Sequence, residues 1–300
     1  MNLSLLTHLA IVLLCTQRLA ATTTTPPAPP FLAQEKIQSY QPVEPKSVPW
    51  LVSIGSITNQ INKKMMTTFE KEQTHLCVGV ILNMTTVLTV GHCVRHAVQT
   101  PEQIGIGLVS STRPSNSLET IYDAHRIPVN KIILHPESNQ KPTYDVALLT
   151  IKDPTHSFNV TPVSLYINAN MPPIEIPTFA ISWAAYVRQS RGLKANHWIL
   201  ERVPSSLYSD LGVAQIKERH SCDDSELLCT TSRSMPLCLG DEGAPLIKYN
   251  GEKPVVLAIA FSAFPNKRGG PCIGYSSFIP IASVVGWIYG ILGRSLFVDI

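Results

Sequence analysis

Short apolar runs of strand length, each cut off by turn-forming residues, recur along the chain. They include Trp50-Leu51-Val52-Ser53-Ile54, Val78-Gly79-Val80-Ile81-Leu82, Val87-Leu88-Thr89-Val90, Val146-Ala147-Leu148-Leu149-Thr150-Ile151 and Val255-Val256-Leu257-Ala258-Ile259-Ala260. A buried helix needs roughly ten or more residues with apolar side chains at three- and four-residue spacing, whereas β-branched runs this short suit strands. Only the ~12 residues before Gly293 carry helical spacing. The 24 prolines fall mostly between the runs, at edge and turn positions where their missing N–H does no harm. The pattern is all-β with a C-terminal helix, and 300 residues at 44% hydrophobic provide enough apolar side chain for a large core. Disordered and fibrous classes are thereby excluded.

Charge narrows the partners. Lysine and arginine number 24 against 21 acidic residues, a net +3 with no basic stripe, so no nucleic-acid partner is expected. Residues 1–20 hold the apolar run from Leu5 to Leu14 followed by small residues at Ala20 and Ala21, the layout of a secretory signal peptide. Residues 21–36 form a Thr/Pro-rich leader, and residues 37–300 form the folded domain. Cysteine usage agrees with secretion, because losing Cys15 with the signal leaves an even set: Cys77, Cys93, Cys222, Cys229, Cys238 and Cys272. Asn83-Met84-Thr85 and Asn159-Val160-Thr161 are then candidate glycosylation sites. The apolar stretch from Ile279 to Leu292 is too short to span a membrane and reads as a packed terminal helix.

Three separated segments carry the chemistry: Leu88-Thr89-Val90-Gly91-His92-Cys93, Thr143-Tyr144-Asp145-Val146-Ala147-Leu148-Leu149 and Cys238-Leu239-Gly240-Asp241-Glu242-Gly243-Ala244-Pro245-Leu246. In this order they resemble the His, Asp and Ser motifs of trypsin-like serine proteases, which read Leu-Thr-Ala-Ala-His-Cys, Asn-Asp-Ile-Ala-Leu-Leu and Cys-Gln-Gly-Asp-Ser-Gly-Gly-Pro-Leu. The resemblance runs from about Ile37 to about Leu292. It implies two six-stranded antiparallel β-barrels of the chymotrypsin type with a cleft between them and a C-terminal α-helix. Ser47-Val48-Pro49-Trp50-Leu51-Val52-Ser53 looks like the family's first strand. The same resemblance implies the disulfides Cys77–Cys93, Cys222–Cys229 and Cys238–Cys272.

The resemblance also implies that the site is degenerate. Glu242 stands where the family carries its nucleophilic serine, so His92, Asp145 and Glu242 make a triad without a hydroxyl. The family chemistry needs that hydroxyl, which attacks an acyl carbon once an imidazole has removed its proton. A carboxylate there would give only a reactive anhydride, and no peptidase activity is expected. Pro236 replaces the residue at the base of the family's specificity pocket, Phe261-Ser262-Ala263 replaces its Ser-Trp-Gly wall, and Ala244 replaces a glycine. His92 and Asp145 either persist as structural inheritance or serve a His92–Glu242 ion pair that closes the cleft. His92 and His96 are four residues apart, but no third ligand lies nearby in sequence, so no metal is expected; no cofactor is expected either.

By the family's pattern Lys36-Ile37 is a possible activation cleavage point, with Asp241 the partner of the new Ile37 amine; otherwise residues 21–36 remain as a solvated tail. The twenty residues from Gly55 to Thr74 exceed the family's usual hairpin at this place and form either an exosite or a plain hairpin. Together these features give a secreted, inactive serine protease homologue that works by protein binding. The expected partner is an active protease, a zymogen or an inhibitor. The alternative is a protein that binds surfaces, glycans or pathogens.

Overall fold

A computed structural model describes residues 41–42, 47–57, 76–108, 126–151, 161–168, 170, 178–182, 186–189, 198–199, 212–216, 219–222, 226–231, 237, 240–262, 270–271, 275–293 and 297–298. The first strand, β1 (Gln41–Pro42), precedes β2 (Leu51–Ser56), β3 (Cys77–Asn83), β4 (Thr86–Val90), β5 (Ile104–Leu108), β6 (Ile127–Leu134) and β7 (Val146–Ile151). Strands β2 to β7 close into a barrel in the order β2-β3-β4-β7-β6-β5. One belt of cross-strand partners shows why: Leu51 faces Val80, Val80 faces Leu88, Leu88 faces Leu148 and Leu148 faces Ile133. The first four of these are fully buried. Cross-strand apolar pairs of this kind hold a sheet in register, and each buried Leu or Val contributes about 1.5–3 kcal/mol relative to exposure.

The second half supplies β8 (Ser164–Tyr166), β9 (Thr178–Ser182), β10 (Tyr186–Gln189), β11 (Trp198–Ile199), β12 (Gly212–Ile216) and β13 (Arg219–Ser221). After these come β14 (Leu228–Thr231), β15 (Pro245–Asn250), β16 (Lys253–Ser262), β17 (Gly270–Pro271), β18 (Tyr275–Pro280) and β19 (Phe297–Val298). The path β12-β9-β15-β16-β18-β14 forms the second six-strand, barrel-like sheet, with β1 and β13 at its ends. Off that path β8 pairs in parallel with β16 and with β19, while β10, β11 and β17 make a small separate sheet. Buried residues of both halves, from Leu51 and Leu88 to Leu246 and Phe278, belong to one continuous apolar core.

The helix α1 (Ile281–Leu292) begins directly after β18 and buries Ile281, Val284 and Ile288. That stripe has helical spacing, and it is the stretch the sequence marks before Gly293. No helix among the described residues is long and apolar enough to cross a membrane. One sequence expectation shifts. The first barrel strand begins at Leu51, not at Ser47, because residues 47–50 form a turn in which the Leu51 N–H reaches Val48 O at 3.0 Å. Pro49 lies inside that turn and has no N–H to offer a ladder.

The structure forms Cys77–Cys93 and Cys222–Cys229. The first ties β3 to the residue after His92 across a sequence separation of 16, a loop size for which such a bridge contributes about 3 kcal/mol. Cys238 and Cys272 lie outside the described residues, as do Asn159, Pro236, Ala263, Lys36, Ile37 and all but the first three residues of the Gly55 to Thr74 segment.

Candidate functional site

His92 and Asp145 meet because β4 and β7 are paired through Val90 and Val146, two residues before His92 on one strand and one residue after Asp145 on the other. Just past that pair the Gly91 N–H donates to Asp145 O at 2.8 Å, which locks the two strand ends together. Asp145 caps the short 3-10 turn Pro142–Tyr144 and is buried, with its N–H on Pro142 O. Its Oδ2 lies 2.7 Å from His92 Nδ1. An ionised carboxylate only accepts, so Nδ1 carries the proton and Nε2 of the half-exposed imidazole is left as an acceptor. The Phe261 ring stands edge-on to the imidazole at 5.9 Å between centroids.

Glu242 sits on a turn that staples the two sheets. Val78 of β3 donates its N–H to Glu242 O at 2.8 Å, Gly243 donates to Ala260 O of β16 at 2.7 Å, and Ala244 donates to Asp241 O at 2.9 Å. The Glu242 carboxylate folds back on its own loop, where Oε2 accepts from the Gly240 N–H at 2.6 Å. A charge-assisted bond of that length is among the stronger polar contacts a loop can make. The imidazole faces Asp145 and Phe261, and the carboxylate turns to the backbone of Gly240. Asp241, almost fully buried, accepts from the Ser182 hydroxyl of β9.

Sequence reasoning missed Arg95. From the 3-10 turn Arg95–Ala97 its Nη2 reaches Asp145 Oδ1 at 2.6 Å and Ser138 O at 2.8 Å. His96, on the same turn, is exposed, and no group of three potential metal ligands occurs among the described residues. Asn83, at the β3–β4 hairpin, accepts from Thr85 N–H at 2.9 Å beside the exposed Met84.

His135 packs under the turn that presents Asp145. It stacks on Tyr144 at 4.7 Å, meets Trp287 of α1 edge-on at 5.1 Å, and accepts at Nδ1 from Glu137 N–H at 3.1 Å. Burial pushes its pKa below the ordinary 6.5, with the Glu137 carboxylate pulling the other way. The unfolded chain then binds the proton more readily, so the contribution of His135 to stability is complete above pH 6.5 and is lost as the pH falls below it. Melting between about pH 7 and about pH 5 is expected to show a shallower loss of Tm in His135→Phe, which keeps the stack; an unchanged slope would contradict this.

Two barrel-like sheets, with a His–Asp pair at the end of one and a Gly240–Ala244 turn bridging both, place the fold within reach of comparison. A sequence model described as Trypsin matches residues 37–288, most of the chain. The chain belongs to the trypsin family. Among members of that family, mouse serine protease 28 is 21% identical over 278 residues, covering 86% of this chain and 93% of the relative. Trypsin zeta of Drosophila erecta is 26% identical over 230 residues, covering 73% of this chain and 78% of the relative. A solved structure of the scabies mite inactivated protease paralogue S-I1 superposes with a TM-score of 0.56 at 20% identity, covering 85% of this chain and 98% of that one. At that identity the likeness shows the trypsin-family fold alone.

Proposed function

We propose that this chain is a secreted, non-catalytic member of the trypsin family that acts by binding protein, as a decoy, cofactor or regulator of proteolysis. The observation that carries the reading is the Glu242 carboxylate seated on the Gly240 N–H. By position in the family motif, that residue should present a hydroxyl to His92. A carboxylate has no proton to give the imidazole, and an acyl group on it would be an anhydride. Its seat has a second consequence. Backbone N–H groups on such a turn are the donors that would stabilise an oxyanion, and here the side chain's own negative charge holds one of them. The scabies mite neighbour, an inactivated protease paralogue, fits the same reading.

A chain that keeps the two barrels without the chemistry still offers a protease-shaped surface. The segment from Gly55 to Thr74 supplies Lys63, Lys64, Met65, Met66 and Phe69 as basic and apolar contact groups, and we assign partner contact to it. Cross-linked pull-down of the tagged protein from its native fluid, read by mass spectrometry, is expected to enrich an active protease, a zymogen or an inhibitor. Deletion of Gly55 to Thr74 is expected to lose that enrichment while the melting transition persists. Enrichment of none of these, with retention on cells or glycans instead, would contradict the regulatory reading.

A further inference from the structure

We propose that Arg95 is a positioning residue that holds the Asp145 carboxylate in the space left open by Gly91, silencing the site at a second point that does not depend on Glu242. The proposal rests on the non-catalytic reading above and deepens it. Both oxygens of Asp145 are engaged, Oδ2 by His92 Nδ1 at 2.7 Å and Oδ1 by the Arg95 guanidinium at 2.6 Å. In a site that works through an imidazole, the aspartate stabilises the imidazolium that forms when the histidine takes a proton. A guanidinium in direct contact with the same buried carboxylate offsets that negative charge.

Gly91 makes the arrangement possible. A Cβ at this position would lie 2.5 Å from Asp145 Oδ1, the oxygen that Arg95 grips, and no carbon and oxygen pack that closely without bonding. The trypsin-like motif quoted above carries alanine at this place, so an alanine here would push the carboxylate off its present seat. Arg95 is committed to its position from the other side. Its Nη2 also bonds Ser138 O at 2.8 Å, and its Nε is buried without a hydrogen-bond partner. Burying a guanidinium nitrogen unpaired is costly, so the two Nη2 contacts are what hold the side chain in place. Phe261 then covers the imidazole edge-on. Arg95 and Gly91 both bear on Asp145 Oδ1.

Two variants of the full secreted chain test this through the rate of labelling by a fluorophosphonate. In Glu242→Ser the serine oxygen would attack phosphorus, fluoride would leave, and the hydroxyl proton would pass to His92 Nε2. That single change is expected to label slowly, and adding Gly91→Ala and Arg95→Gln to it is expected to raise the rate at least about tenfold, equivalent to about 1.4 kcal/mol of barrier. Equal rates in the two variants would overturn the proposal. The second measurement needs neither the nucleophile nor Gly91→Ala. In Arg95→Gln alone, the proton resonance of His92 Nδ1–H is expected to move downfield as Asp145 turns its full charge to the imidazole. A resonance that stays in place in the folded variant would also overturn it. Labelling of the unaltered chain would instead sink the non-catalytic reading, so the two failures are distinct.

Discussion

Turnover of peptide substrates is expected to lie about a million-fold below that of an active trypsin-family member, the loss that follows removal of the nucleophile from a triad. The reason is local. His92 Nε2 has the geometry of a base, with Nδ1 on Asp145 at 2.7 Å, but the side chain at the motif's serine position is a carboxylate bonded to Gly240 N–H at 2.6 Å. It has no proton to give up, and one of its oxygens is held by the loop. A panel of fluorogenic peptides with basic, aromatic and small side chains before the cleaved bond, followed over days, checks this. Turnover within a hundredfold of an active member would contradict it.

Gly243→Val is expected to cost on the order of 3 kcal/mol or more and to lower Tm by several degrees. Gly243 has φ of 86°, a region that costs an L side chain about 1–2 kcal/mol. Space is the larger obstacle. A Cβ there would collide with the carbonyl oxygen of Val78 and come within 2.8 Å of Thr89 Oγ1. Neither neighbour can give way cheaply, because Val78 belongs to β3 and the Thr89 hydroxyl is bonded to Val78 O at 2.7 Å. Since the Gly243 N–H also bonds Ala260 of β16, displacement would loosen both sheets at once. Denaturant titration of Gly243→Val measures the loss, with Gly251→Ala as comparison, since nothing lies within 4 Å of a Cβ at Gly251. Similar losses in the two would show that backbone strain, not the closeness of β3, governs this turn.

Much of this was legible from residues alone, for physical reasons that can be named. Runs such as Val146 to Ile151 are strands because they are short and β-branched, and the structure finds β7 over those residues. The run from Val255 to Ala260 is longer than its apolar part, since β16 extends over Lys253–Ser262 as the return arm of a hairpin with β15. Cys77 and Cys93 pair as the family resemblance implies. Arg95 was not legible. Its partner lies 50 residues away, and only the β4–β7 register brings the two together. The small residue at Gly91 was a visible clue, but its meaning required the position of the Asp145 oxygen. The seat of the Glu242 carboxylate on a backbone N–H two residues earlier was not legible either, because it depends on how the Gly240–Ala244 turn folds.

The most direct measurement is intact-mass analysis of the protein after exposure to a fluorophosphonate. An acyl- or phosphonyl-forming site of this family adds one phosphonyl group at its nucleophile, whatever peptide it prefers, so the readout does not depend on guessing a substrate. No adduct is expected, even after prolonged exposure at high reagent concentration. A single stoichiometric adduct that maps to a serine near His92 would contradict the account and make this chain an enzyme.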